Sequence, residues 1–458
     1  MLVAVILLAS ACSVVTEIQP IAQEDESVTE EGASAMTSAE VFEAIEESVV
    51  FILSPDTLTS GSGIVIDGGW ILTNAHVVDR HPMMSIGRSD GVDLGTHPVH
   101  AVDWVFDLAL IGPIDDASLS PIAIGDSAEL GLGARVLLAG FPDEDTMFPT
   151  PTLTEGIVSR RRNVAIGSFP FLQVDATIAP GQSGGALIND RGELVGISGI
   201  EFGEGEFGLA FASAALEARI EALAVAEQSN VPTSAAVSTI ETQVGPLRNY
   251  SFIAEVDESG SLDILLTSPI DIWVDIQTLG GVRVTQVQQA NDDPFRGAGS
   301  NRELYIDELA AGGEEIVVDL DPGTYQILVG VFGNELSDLS ISSANDLRVF
   351  DDVEEAQMLP RSGVIEGNFD WTRDSDQWEL PLTAGEEVTL TADGISDTIL
   401  VVRLGDEVIA NSDDEGLGVF GTGSRTTFVA EEDGTYIVEV GTFDQTRWGY
   451  LLEVAVTE

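Results

Sequence analysis

The chain contains no lysine, one cysteine and few aromatics. All 18 basic residues are arginine, against 78 aspartates and glutamates in 458 residues, for a formal charge of −60. So acidic a surface cannot track phosphates, which excludes nucleic acid as a general partner. Self-repulsion on this scale is screened by salt within about 10 Å at 0.1 M. It reads either as adaptation to a saline environment or as a solubility bias shared by an acidic proteome. A lone cysteine, Cys12, excludes an intramolecular disulfide. The apolar run from Met1 to Ala11 is too short to cross a bilayer. Aromatic residues make up 6% of the chain, sparse but sufficient for several small cores.

What is present is β-rich and divided. The length suggests two to four domains, and 44% hydrophobic residues with 47 glycines and 18 prolines favour a globular chain. Residues 1–12 have the apolar body of a secretion signal. Small residues directly before Cys12 resemble the lipobox of bacterial lipoproteins, which implies lipidation of Cys12; a plain secretion signal and an unprocessed tail are the other readings. Residues 13–36 are acidic, without apolar period, and read as a tether. The segment 37–227 opens on a capping box, Thr37-Ser38-Ala39-Glu40, before Val41, Ile45 and Val49. Short apolar runs broken by Gly, Pro and Asp then predict an all-β barrel or sandwich to about Phe211, followed by a helix over Ala212 to Glu227. Residues 228–245 read as a linker. Residues 246–345 and 363–458 read as two copies of one β-sandwich, joined by an acidic spacer over 346–362. Gly323-Thr324-Tyr325 in the first matches Gly434-Thr435-Tyr436 in the second, each after an acidic turn.

Three segments carry chemistry. They are Thr73-Asn74-Ala75-His76-Val77-Val78, Asp107-Leu108-Ala109-Leu110-Ile111 and Pro180-Gly181-Gln182-Ser183-Gly184-Gly185. A base for the hydroxyl proton, a buried carboxylate to fix the imidazole tautomer, and glycine-rich backbone to meet an oxyanion are what acyl transfer to a serine needs. His76, Asp107 and Ser183 are therefore the candidate triad. Asp103 is the competing carboxylate, lacking the apolar run that directly follows Asp107. His81, His97 and His100 have no partner pattern for a metal and read as surface or loop residues.

Around these segments, Gly61-Ser62-Gly63-Ile64-Val65-Ile66, Trp70 to Val78 and Asp175 to Leu187 resemble trypsin-like serine proteases of the bacterial HtrA (Deg) type over residues 40 to about 222. The resemblance implies a chymotrypsin-like pair of six-stranded β-barrels, so that the fold class is mainly β: a double barrel followed by two β-sandwich domains. It implies Ser183 as nucleophile, His76 as base and then acid, Asp107 as orienting carboxylate, the N–H groups of Gly181 and Ser183 as oxyanion hole, and Thr177 at the base of the primary pocket. No cofactor is expected for that chemistry. Gln182 stands where chymotrypsin-type zymogens place the aspartate that receives a new N-terminus, so ordering of the oxyanion loop by packing or by substrate is expected instead. Where HtrA proteins continue into PDZ domains, the sandwiches follow here; through Asp376-Gln377-Trp378, the Asn-Asp-Asp turns and the Gly-Thr-Tyr strands they resemble bacterial pre-peptidase C-terminal domains. Asn411, Asp413 and Asp414, with Asn291, Asp292 and Asp293, offer oxygen ligands of the kind Ca²⁺ takes; a solvated acidic turn is the plainer reading. The expected function is an extracytoplasmic serine endopeptidase acting on protein or peptide substrates, secreted or held at the cell envelope by an N-terminal lipid anchor. The alternative is a catalytically silent cell-surface protein whose sandwiches bind protein, glycan or Ca²⁺. A third is a quality-control protein that mainly holds unfolded chains.

Overall fold

The computed structural model describes residues 35–457 except 55–58, 80, 144–149, 164–165, 167–169, 203–206, 227–235, 245–248, 271, 279–313, 332–336, 350–356, 370–373, 406, 414, 416–420 and 443–447. Met36 to Glu458 form one compact unit. It begins with helix α1 (Ser38–Ile45), whose N-terminus carries the complete capping box: the Thr37 hydroxyl accepts from Glu40 N–H, and Glu40 reaches back to Thr37 N–H. Val41 and Ile45 are its buried residues.

Two closed barrels follow. The first contains β1 (Val49–Leu53), β2 (Ser60–Ile66), β3 (Trp70–Thr73), β4 (Met83–Arg88), β5 (Asp93–Asp103) and β6 (Leu108–Ile111), in the order β1-β2-β3-β6-β5-β4. The second contains β7 (Arg135–Gly140), β8 (Thr152–Asn163), β9 (Pro170–Val174), β10 (Ala186–Ile188), β11 (Leu194–Phe202) and β12 (Phe207–Ala212), in the order β10-β11-β12-β9-β8-β7. The period of two along a strand explains why they read as unbroken apolar runs. On β6, Ala109 and Ile111 fill the barrel with Val50, Ile52 and Val65, while Leu108 and Leu110 face the second barrel. Leu137, Ala139 and Ile188 meet them from the other side, so one apolar layer joins the barrels. A short helix, α2 (Ala75–Val78), leaves β3, and α3 (Leu216–Val225) follows the second barrel after a 3₁₀ turn at Ser213–Ala215.

The rest of the chain is built of sheets. The strands are β13 (Val237–Val244), β14 (Tyr250–Val256), β15 (Ser261–Thr267), β16 (Ile272–Thr278), β17 (Glu314–Asp319), β18 (Gly323–Val331) and β19 (Ser337–Val349). After these come β20 (Gln357–Met358), β21 (Ser362–Asn368), β22 (Ser375–Leu382), β23 (Glu387–Gly394), β24 (Thr398–Leu404), β25 (Glu407–Asp413), β26 (Ser424–Val429), β27 (Gly434–Thr442) and β28 (Gly449–Thr457). In the last module, β20-β22-β27-β24-β25 and β21-β28-β23-β26 are separate sheets. The preceding module repeats the second path, as β13-β19-β15-β17, and the middle three strands of the first, as β14-β18-β16, and the long β19 also pairs β14 and so links them. The strands common to the two modules follow one order. Tyr325 O–H donates to the Asp321 carbonyl at 2.8 Å, and Tyr436 O–H to that of Glu432 at 3.2 Å, the same device in both copies.

Three sequence expectations need correction. Residues 228–245 are not all linker, because β13 lies within them and pairs β19 over Val237 to Val244. Most of its side chains are exposed, and a Ser/Thr-rich strand on a wet face leaves little apolar period to read. For the same reason β19 runs past residue 345, and β20 and β21 begin before residue 363. The predicted helix over 212–227 is shorter, with β12 ending at Ala212 and α3 at Val225. Among the described residues, no helix is long and apolar enough to cross a membrane.

Candidate active site between the barrels

The three motif segments meet where the barrels touch. His76 sits on α2 just after β3, and Asp107 lies in the turn between β5 and β6. Ser183 lies in the loop between β9 and β10. Asp107 is 2% exposed, and its carboxylate takes two hydrogen bonds from one residue. Oδ2 lies 2.7 Å from Nδ1 of His76, and Oδ1 accepts the His76 backbone N–H at 2.9 Å. A buried carboxylate of this kind is costly unless its lone pairs are satisfied. Burial opposes protonation of His76, but the charge and hydrogen bond of Asp107 outweigh it and raise the imidazole above its ordinary value of 6.5. With Nδ1–H held by Asp107, Nε2 is left as the proton acceptor.

Asp107 is also the non-glycine residue with positive φ among the described residues, at 54°. Such backbone costs about 1–2 kcal/mol and needs support. Asn74, 2% exposed, gives it. Its Nδ2 donates to the Asp107 carbonyl at 2.8 Å, and its Oδ1 accepts the Gly184 N–H at 2.6 Å. One carboxamide thus bridges the aspartate segment to the serine segment. Ser62, on β2, makes a second bridge: its N–H donates to the Ser183 carbonyl at 2.8 Å and its hydroxyl to the Gly181 carbonyl at 2.9 Å. Gly184 has φ 79°, and a Cβ there would lie 2.1 Å from the Ser62 carbonyl oxygen, so only glycine fits. The Ser183 hydroxyl itself donates to the Gly199 carbonyl at 3.5 Å, and no hydrogen bond joins it to His76 in this arrangement. Among the described residues, no acceptor takes the N–H of Gly181 or of Ser183.

Residues 61–197, the stretch that holds all of these groups except Gly199, match the family model described as a trypsin-like peptidase domain. This segment is similar to a trypsin-like peptidase domain.

Curated relatives are similar to part of the chain. The periplasmic pH-dependent serine endoprotease DegQ of Escherichia coli is 36% identical over 159 residues, which are 33% of this chain and 34% of that protein. The serine protease Do-like HtrA of Bacillus subtilis is 34% identical over 165 residues, 33% of this chain and 36% of that protein. A solved serine endoprotease from Yersinia pestis is 30% identical with a TM-score of 0.36, over 41% of this chain and 66% of that one. The chain spans about a third of the length of the curated relatives it matches.

Within the peptidase domain, Gln182 is buried and neutral, and its side chain bonds at both ends. Oε1 accepts from Ala179 N–H and Nε2 donates to the Thr152 hydroxyl, each at 2.7 Å, and its carbonyl accepts the Ser198 hydroxyl at 2.6 Å. Internal packing therefore anchors this loop without a charge pair. Thr177 is exposed, between the buried Ala176 and Ile178.

The other sequence candidates fall elsewhere. Asp103 ends β5 and lies 3.4 Å from Arg219; burial, opposed by that arginine, pushes its carboxyl up to about 6. The three remaining histidines are not surface or loop residues as a group. His81 is in a loop but 4% exposed. His97 and His100 are half-buried on β5, bonded to the carbonyls of Leu94 and Ala224, and His100 stacks on Trp70 with centroids 4.6 Å apart. Asn411 and Asp413 are exposed on β25, while Asp414, Asn291, Asp292, Asp293 and Cys12 lie outside the described residues. Among the described residues, no group of three or more His, Cys, Asp or Glu is arranged to hold a metal ion.

Sequence reasoning missed Asn74 and Ser62 as bridges. Both lie inside the quoted motifs, and a polar side chain amid apolar strand residues was the available signal.

Proposed function

We propose that the chain is a serine endopeptidase that hydrolyses protein substrates outside the cytoplasm, with Ser183 as nucleophile. The observation that carries this reading is the doubly bonded Asp107–His76 pair, tied through Asn74 to the Gly184 N–H beside Ser183. In the proposed cycle the Ser183 hydroxyl turns from the Gly199 carbonyl to Nε2 of His76, by rotation about its Cα–Cβ bond. Oγ attacks the scissile carbonyl while Nε2 takes the proton, and Asp107 stabilises the imidazolium. The N–H groups of Gly181 and Ser183, which have no acceptor among the described residues, receive the oxyanion. His76 returns the proton to the leaving amine, and a water activated by the same imidazole then hydrolyses the acyl-enzyme.

The names of the relatives support a location outside the cytoplasm, and the apolar segment before Cys12 fits either secretion or a lipid anchor. The resemblance of the sandwiches to pre-peptidase C-terminal domains fits accessory modules on such an enzyme. Thr177 brings a hydroxyl and no carboxylate to the primary pocket, which favours small or medium apolar side chains over Lys or Arg. The test is cleavage of unfolded casein and of a peptide library, beside Ser183→Ala. Product mapping that shows Ser183-dependent cuts after apolar residues is expected; cuts that persist in Ser183→Ala, or no cuts at all, would overturn the reading.

A further inference from the structure

The turn that carries Asp107 is a docking surface for the second sandwich. Gly449, the first residue of β28, donates its N–H to the Trp104 carbonyl at 2.8 Å. A Cβ at Gly449 would lie 2.6 Å from Val105 Cγ2 and 2.8 Å from Val105 Cα, so the two backbones touch there. Ile395 of the sandwich is 5% exposed and belongs to the same apolar cluster as Phe106 and the interbarrel layer. A charged contact lies beside it. Glu366, on β21, holds Arg219 of α3 through two bonds of 2.5 and 3.1 Å. The Arg219 guanidinium lies 3.6 Å from the centroid of the Phe106 ring and 3.4 Å from Asp103. Asp103 Oδ1 in turn accepts the Phe106 N–H at 3.1 Å. Residues 103–106 are thus gripped from the sandwich side, and the next residue is the strained Asp107.

Resting on the catalytic reading above, we propose that the second sandwich is an intramolecular brace for the active site: docked on residues 103–106, it holds Asp107 in the conformation that orients His76, with Arg219 as the positioning residue at the junction. The brace contributes no group to the reaction. Loosening it lets the turn relax and the carboxylate drift from the imidazole, and a small misplacement there is expensive in rate. Binding of anything to the sandwich that changes its docking would then change kcat.

The test uses the full chain with Glu366→Arg, which sets two guanidiniums against each other, and Glu366→Gln, which removes the charge and keeps the shape. Glu407→Gln, an exposed glutamate on β25 in the other sheet, is the control. Peptide turnover and the rate of fluorophosphonate labelling are measured across pH, with the melting curve of each variant. The brace predicts that kcat and labelling rate fall together about tenfold or more in Glu366→Arg and less in Glu366→Gln. KM should stay within about twofold, the acid limb should move to lower pH, and Glu407→Gln should match the parent. If Glu366→Arg does not fold, Glu366→Gln alone decides by the same readouts. A folded variant with parental kcat and pH profile refutes the brace. A parent that neither labels nor cleaves refutes the catalytic reading on which it rests.

Discussion

Replacing Asn74 with alanine isolates the bridge between the two halves of the site. The substitution removes the donor to the Asp107 carbonyl and the acceptor for Gly184 N–H. Gly184 keeps a second acceptor, the Ser198 carbonyl at 2.8 Å, so its loss is partial. The Asp107 carbonyl is left without that donor in a buried setting, at about 1–3 kcal/mol. The void left by the carboxamide adds about 1 kcal/mol. Together these lower stability by roughly 2–4 kcal/mol, or about 4–16 °C in Tm for a domain of this size. Activity should fall further than stability implies. Without the bridge, Asp107 can leave its positive φ, and displacement of a catalytic group by about 1 Å costs on the order of 10²-fold in rate. Steady-state turnover of a fluorogenic peptide, on protein shown to be folded at the assay temperature, gives the answer. A folded Asn74→Ala whose kcat is within about threefold of the parent would falsify the positioning account.

Other substitutions test separate parts of the site. Because Asp107 raises His76 above 6.5, the acid limb of kcat/KM should have its midpoint above that value; Asp107→Asn should move it down and cost about 10⁴-fold in kcat, as loss of the orienting carboxylate does in triads generally. A midpoint at or below 6.5 in the parent would contradict the pairing. Gly184→Ala forces a Cβ to 2.1 Å from the Ser62 carbonyl oxygen at a φ of 79°, and should destabilise by more than the roughly 1 kcal/mol that the conformation alone costs; calorimetry showing no change would refute the close approach. Asp103 is raised from 3.8 to about 6, so the stability its protonation gives is full below 3.8 and is lost as pH rises through 6. Between pH 4 and 8 the stability of the parent relative to Asp103→Asn should therefore fall by about 2–3 kcal/mol, and a pH-independent difference would sink the assignment.

The three segments that meet between the barrels were legible because the chemistry proposed for them fixes residue type locally. A histidine within Thr73-Asn74-Ala75-His76, an aspartate at the head of Leu108-Ala109-Leu110-Ile111 and a serine among glycines each carry their own context. The capping box of α1 and the paired tyrosine turns at Tyr325 and Tyr436 were legible for the same reason, being contacts between residues three or four apart. What escaped were contacts made across the fold. Nothing near Asn74 in sequence says that its two ends reach Asp107 and Gly184, 33 and 110 residues away. Nothing near Arg219 points to Glu366, 147 residues on. His97 and His100 looked like loop residues because β5 alternates polar and apolar side chains so weakly. In a chain this acidic, Asp103 and Glu366 are individually unremarkable; only the guanidinium between them marks the place.

The most direct test of the central claim is labelling of the purified chain with a fluorophosphonate probe, beside Ser183→Ala, at low and high salt. The account predicts stoichiometric labelling of the parent that is abolished in Ser183→Ala and mapped to the peptide containing Ser183. Absence of labelling at every salt concentration, in protein shown to be folded, would contradict it and leave the assembled pair of His76 and Asp107 without an activated nucleophile.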